Sequence, residues 1–220
     1  MQHSVLKTTL GDLLKVNTTR YPDTVRTLHL NQADRKLCAE YLMPWCEVEE
    51  SVTLTIGQAL YSLKVGGGLI AAGAGKLHVD LVSNLLYTDS EGEQQPIHQR
   101  TREELLGLYP LSTANAPPKQ FAVWAEKLRV APPPDTALAV TLAGRGHSQE
   151  MSADADESAW AANAPMILVY CAAEMACEYM LEPDLAVLYA KRWREEADDL
   201  DIQLAGREME GRDNYQMEPR

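Results

Sequence analysis

The stretch ESVTLTIG, residues 50–57, decides how the chain is divided. Val52, Leu54 and Ile56 alternate with Thr53 and Thr55. A period of two belongs to a half-buried strand, because successive side chains of a strand point to opposite faces. The segments ALYSLKV and KLHVDLVSNLLYTD that follow are also rich in strand-forming residues. A turn cluster, DSEGEQQP (Asp89 to Pro96), separates them from what comes next. Further on, QFAVWAEKLRVAPPPDTALAVTLAGR reads as strand, turn at Glu126-Lys127, strand, proline corner and strand. Three consecutive prolines, 132–134, do not fit inside a central strand. Between these strand groups Thr101 and Glu104 form a capping box that opens a short helix, TREELLGLYP, ended by Gly107 or Pro110.

Outward from this middle the period changes. Residues 9–16 (TLGDLLKV) have the leucine-rich face of a short helix. Asp23 is placed to cap a longer one, in which Val25, Leu28, Ala33, Leu37, Tyr41 and Leu42 share a face and Pro44 ends the run. Towards the other end, MILVYCAAEMACEYML is apolar nearly all round, as a central buried helix would be. After Pro183-Asp184 a second helix carries a stripe of Leu185, Leu188, Tyr189, Trp193, Ala197, Leu200 and Leu204. From Gly206 the polar tail GREMEGRDNYQMEPR has no apolar period.

Helices, then strands, then helices predict an α+β protein: a bundle of N- and C-terminal helices (9–43 and 165–204) with an inserted, mostly antiparallel sheet at about 50–145. One domain spans 1–205, and 206–220 is a flexible tail. No internal repeat or long low-complexity segment interrupts this order.

With 220 residues, 45% of them hydrophobic, the chain is long enough to bury a core and reads as a soluble globular protein. Asp plus Glu number 32 against 20 Lys plus Arg, a net charge of −12. Such a surface is poorly suited to wrapping nucleic acid, which needs cations against its phosphates, but suits a conduit through which DNA slides. Cys38, Cys46, Cys171 and Cys177 form no C-x-x-C pair and read as reduced, buried thiols. The N-terminus has no basic region followed by an apolar block, and no apolar run reaches the roughly 18 residues of a membrane span.

The chemistry-bearing motifs fail one by one. KVGGGLIAAGAGKLHVD, Lys64 to Asp80, ends its glycines in Gly75-Lys76. A phosphate-binding P-loop needs a glycine five residues before the Gly-Lys, where Ile70 stands, and Ser or Thr after it, where Leu77 stands. The dinucleotide fingerprint fails at Ala71. A bulged or flexible strand connection fits better. His3, His29, His78, His98 and His147 are scattered, and the six-residue separation of Cys171 and Cys177 does not present two thiolates on one face of a helix, as tetrahedral zinc wants. DADES, Asp154 to Ser158, resembles the start of a calcium loop, but Ala159 and Pro165 occupy its critical positions, so it reads as a helix cap. Carboxylates cluster at Glu47, Glu49 and Glu50 as a solvated face would place them. No nucleophile elbow is present. The sequence therefore predicts no catalytic residue, no cofactor and no metal.

The order of features nevertheless resembles the head–tail adaptor (connector, or head-completion) proteins of tailed bacteriophages, over roughly residues 9–205. The residues that carry the likeness are Leu30-Asn31-Gln32-Ala33, Tyr61 to Leu63, VDLVSNLLYTDSEG, TREELLGLYP, FAVWAEKLRVAPPPD and the closing ADADESAWAANAPMILVYCAAEMACEYMLEPDLAVLYAKRWREE. Lys64, where relatives often have proline, and the glycine-rich run after it depart from the pattern.

The resemblance implies a structural, non-enzymatic protein of the virion neck, made in the host cytoplasm. It implies a homo-oligomeric ring, a dodecamer, that binds the portal protein after DNA packaging and offers a platform to the tail nozzle or tail-tube protein. Genomic DNA would pass through the lumen without specific binding, repelled by like charge. The tail residues Arg207, Glu208, Arg212, Asn214, Tyr215 and Met217 would meet the portal. Gly66, Gly67, Gly68, Gly73 and Gly75 would form a loop that settles on assembly. Two alternatives stay open at the level of sequence: an adaptor that also hydrolyses peptidoglycan, and a tail-completion protein at another joint.

Overall fold

Two compact units emerge from the computed structural model: Met1–Met43 with Glu150–Arg220, and Pro44–Gln149. The structure describes residues 1–41, 43–71, 77–88, 93–110 and 114–215, with side chains as far as Gly206.

The first unit is helical. It contains α1 (His3–Leu14), α2 (Asp23–Glu40), α4 (Ala159–Asn163), α5 (Pro165–Tyr179) and α6 (Pro183–Tyr215). The helix expected at 9–16 starts earlier, at His3, and Asp23 is the first helical residue of α2 rather than its cap. α5 is the centre, packing against α1, α2, α4 and α6. Its run from Ile167 to Ala173 is buried throughout, as a helix apolar on every side requires. Pro165 opens α5, where its fixed φ suits the first turn and no amide donor is missed.

One polar cluster is set in this core. Glu174 of α5, 9% exposed, accepts from Trp193 Nε1 at 2.7 Å and Lys36 Nζ at 3.0 Å. The carboxylate thereby ties α2 and α6 to α5, and these donors offset part of the cost of burying it, which removal of either would expose. Lys36 and Arg194 also stand over the Trp193 ring, at 4.9 and 4.6 Å. At the other end Arg26, buried on α2, donates to the carbonyls of Tyr21, Lys7 and Val16. Its guanidinium occupies the space a Cβ at Gly11 would need, with Nη1 only 2.7 Å away.

The second unit is built on one sheet of eight strands, in the order β1-β8-β4-β5-β6-β7-β2-β3. In chain order these are β1 (Glu47–Leu54), β2 (Leu60–Val65), β3 (Gly68–Ile70), β4 (Leu77–Thr88), β5 (Gln94–Gln99), β6 (Gln120–Trp124), β7 (Lys127–Ala131) and β8 (Leu138–Ser148). Neighbours pair antiparallel except β2 with β3 and β5 with β6. The terminal strands β1 and β3 approach each other, so the sheet nearly closes on itself like a barrel. Val52, Leu54, Tyr61, Leu63, Val82 and Phe121 are among the buried residues of its core. A short helix, α3 (Arg102–Leu108), packs on β6 and the end of β7 through Leu105, Ala122 and Ala131. The capping box at Thr101 and Glu104 opens it as expected.

The expected fold class is corrected by this sheet. The chain is mixed α/β with six α-helices among the described residues, not a helical bundle carrying an inserted antiparallel sheet. The sheet has its own core and its own helix. Alternation in the sequence tells which residues point inward, but not how far a sheet bends. Two irregularities lie between β4 and β8, where the register shifts between Val79 and Leu81 and again between Val82 and Asn84, and such bulges bend the strand that carries them. Gly144 and Gly146 of β8 lie opposite these shifts. A Cβ at either would sit 2.0 Å from a backbone oxygen, that of Leu81 or of His78. The bulges therefore require glycine on β8.

Candidate functional site

The glycine stretch from Lys64 is placed by the second unit. Gly66 has φ +75° and Gly68 φ +104°, values that disfavour a side chain. Gly67 is held by crowding instead, since a Cβ there would lie 2.4 Å from Ser62 Oγ. Gly66 N–H donates to Ile70 O and Gly67 N–H to Lys64 O. The three glycines thus turn β2 back onto its parallel neighbour β3. Gly73, Gly75 and Lys76 lie outside the described residues. After them comes strand β4, not the helix N-terminus at which a phosphate loop needs to end.

Beside this turn Lys64 pairs with Glu126 at 2.8 Å, and the Lys64 hydrogen bond holds the Glu126 carboxyl below its usual range. Glu126 and Ala125 both have positive φ and form the tight β6–β7 turn, one residue earlier than the sequence suggests.

The loop around Asp154–Ser158 is a cap. The Asp156 carboxylate accepts from the backbone N–H groups of Ser152 and Ala153, both at 2.7 Å, which lowers its pKa. Asp154 pairs with Lys7 at 2.8 Å, and that hydrogen bond lowers its pKa as well. The backbone carbonyls of Asp156 and Asp154 accept from His3 and Ser4, satisfying the first donors of α1. Ser158 caps α4 through the Ala161 N–H. These acids are occupied by the protein's own donors, and their shifts run opposite to what a general acid needs.

The four cysteines are buried and none is in a disulfide among the described residues. Burial pushes the Cys171 thiol up to about 12 and the Cys177 thiol up to about 11. At neutral pH both stay as thiols, the form that neither attacks a carbonyl nor binds zinc well.

The surface of the first unit carries a feature that the apolar stripe of the last helix did not foretell. The line that α6 buries is Ala186, Trp193 and Ala197. Leu185 and Leu188, expected on that line, are 40% and 56% exposed, and Ile202 is 69% exposed. At about 100° per residue, Leu188 and Ile202 stand on the side of α6 opposite Trp193. Just before α6, Tyr179 is 54% and Leu181 86% exposed.

Leu181 has φ +62°. It ends α5 in a two-bond cap: Leu181 N–H donates to Glu178 O and Glu182 N–H to Cys177 O. Glycine is the usual residue at this position, because a Cβ is strained there. A large apolar side chain, strained and almost fully in solvent, gains nothing from its own fold. Sequence reasoning passed over Leu181, since Leu-Glu-Pro reads only as a helix break.

The tail residues expected to meet a partner follow in the same helix. α6 runs to Tyr215, so the segment expected to leave the helix at Gly206 begins within it, and Arg207, Glu208, Arg212, Asn214 and Tyr215 lie on helical backbone. Met217 lies outside the described residues.

A family model described as the SU10 adaptor protein matches residues 1–217. The comparison with curated proteins returns no match. Among the described residues no helix is long and apolar enough to cross a membrane.

Proposed function

The chain belongs to the SU10 adaptor protein family, and from that premise we propose that it is a ring-forming structural adaptor in the neck of a tailed phage. In this reading copies of the chain bind the portal after DNA packaging, and the ring gives the tail its attachment platform. The observation that carries the reading is Leu181, 86% exposed and held at φ +62°, with Tyr179, Leu185 and Leu188 exposed beside it in sequence. Residues like these are buried only by another molecule. A net charge of −12 agrees with a DNA conduit, whose wall repels phosphate and lets the genome pass.

The test is assembly on the cognate portal. Purified protein is mixed with portal rings, and the particles are imaged by cryo-electron microscopy. A ring of this chain seated on the portal, with Leu181 covered, is the expected result. Particles in which the portal stays bare at saturating protein would overturn the proposal.

A further inference from the structure

The β-rich unit contains a cavity of about 300 Å³ between α3, the start of β2 and the β6–β7 hairpin. Its walls include Leu60, Leu106, Trp124, Val130 and Pro133. Two arginines also line it, Arg102 and Arg129. Arg129 is 6% exposed. Its Nη2 donates to the Tyr109 carbonyl at 3.1 Å, and its Nε has no hydrogen-bond partner among the described residues. Arg102 stands over the Trp124 ring at 5.2 Å. Among the described residues no carboxylate pairs with either guanidinium, although acids outnumber bases 32 to 20 in this chain.

A buried guanidinium without an anion is an uncompensated charge. Retaining one at the wall of an apolar cavity makes physical sense if the anion arrives with a ligand. The size selects among anions. About 300 Å³ is at the lower limit for small-molecule sites, a size suited to a short stretch of side chains rather than a large ligand. Arginine's planar fork suits a carboxylate, and the indole and leucine walls suit an apolar neighbour.

We propose that this cavity binds a segment of a partner polypeptide in which Asp or Glu stands next to a leucine-sized or aromatic residue, the carboxylate meeting Arg129 and Arg102 and the apolar side chain covering Trp124. The site lies wholly within the β-rich unit and does not require that the chain form rings, so its success or failure is separate from that of the portal experiment.

The test uses the full-length protein, labelled with nitrogen-15, and three probes: acetyl-Pro-Glu-Leu-Pro-amide, its glutamine counterpart and phenylacetate. The expected result is a saturable shift of the Trp124 indole resonance with the glutamate peptide. Binding of the glutamine peptide should be roughly tenfold weaker or worse, since a charge-assisted pair is replaced by a neutral one. Arg102→Gln, at an exposed position that leaves folding intact, should weaken the glutamate peptide and spare the glutamine one. Equal binding of the two peptides would overturn the carboxylate role. No shift at Trp124 up to millimolar glutamate peptide would overturn the site. Binding of phenylacetate without binding of the peptide would overturn the polypeptide as the occupant.

Discussion

Leu181 and His29 show how single side chains in the helical unit can be read from their environment. At Leu181 the left-handed backbone penalises any Cβ, and nothing in the fold repays it, because the side chain is 86% exposed. Leu181→Gly should therefore stabilise the protein, by about 1 kcal/mol, or roughly 3 °C in midpoint for a chain of this size. The same variant should lose affinity for whatever covers the position, so a thermal melt and a portal-binding assay should move in opposite directions. A fall in the melting midpoint would show that the leucine serves the fold after all. His29 is 8% exposed, with Nδ1 2.8 Å from Tyr21 Oη, and burial lowers its pKa below 6.5. In the unfolded chain His29 takes up a proton near 6.5. Between that pH and the folded value the unfolded state binds more protons, so this contribution is full above 6.5 and is lost as the pH falls. Chemical denaturation at roughly pH 7.5 and roughly pH 5.5 should show wild type losing stability. His29→Asn should lose less over the same interval, and an equal loss in both proteins would remove His29 as the cause.

At the scale of elements, β4 bulges twice and β8 makes room for it. Gly144 and Gly146 let β4 shift register twice while staying paired. Gly146→Ala forces a Cβ to within 2.0 Å of the His78 oxygen, which is backbone and has no rotamer to escape into. The variant should lose about 2–4 kcal/mol in urea unfolding. Gly107→Ala, inside helix α3 with open space around its Cβ, should instead stabilise the protein by about 0.5–1 kcal/mol, the helix propensity that glycine forfeits. This contrast also explains what the sequence allowed. Strands around Val52 and Leu54 could be read because burial on one face leaves an alternating trace, and the capping box at Thr101 because it is local. The bulges could not, since their cause is the meeting of Gly144 with Leu81, residues far apart in the chain. Near-closure of the sheet was hidden for the same reason. Arg129 shows the limit for sites: in KLRVA the flanking Leu128 and Val130 enter the core, so Arg129 reads as a solvent-facing strand residue. Only the packing of α3 over that face encloses it. Leu185 and Leu188 mark the reverse error: at 100° per residue they stand about 80° and about 140° round the helix from Trp193, and the structure leaves both exposed.

For the molecule as a whole, net charge sets the terms on which copies meet. Each carries −12, so bringing two together costs repulsion whatever the contact offers. The exposed apolar residues Leu181, Leu185, Leu188 and Ile202 supply attraction that salt does not screen. The two effects separate with ionic strength. The screening length shortens from about 30 Å at 0.01 M to about 10 Å at 0.1 M, which weakens the repulsion and leaves apolar burial nearly untouched. Self-association measured by sedimentation velocity should therefore strengthen as sodium chloride rises through this range. Replacing Leu188 and Ile202 by Asp should abolish the rise without lowering the melting midpoint, because neither side chain is buried in the fold. Association that weakens with salt would mean that ion pairs between copies dominate. The surface to search would then be the charged middle of α6, where Lys191 and Arg192 already bridge to Glu195 and Glu196 within the helix.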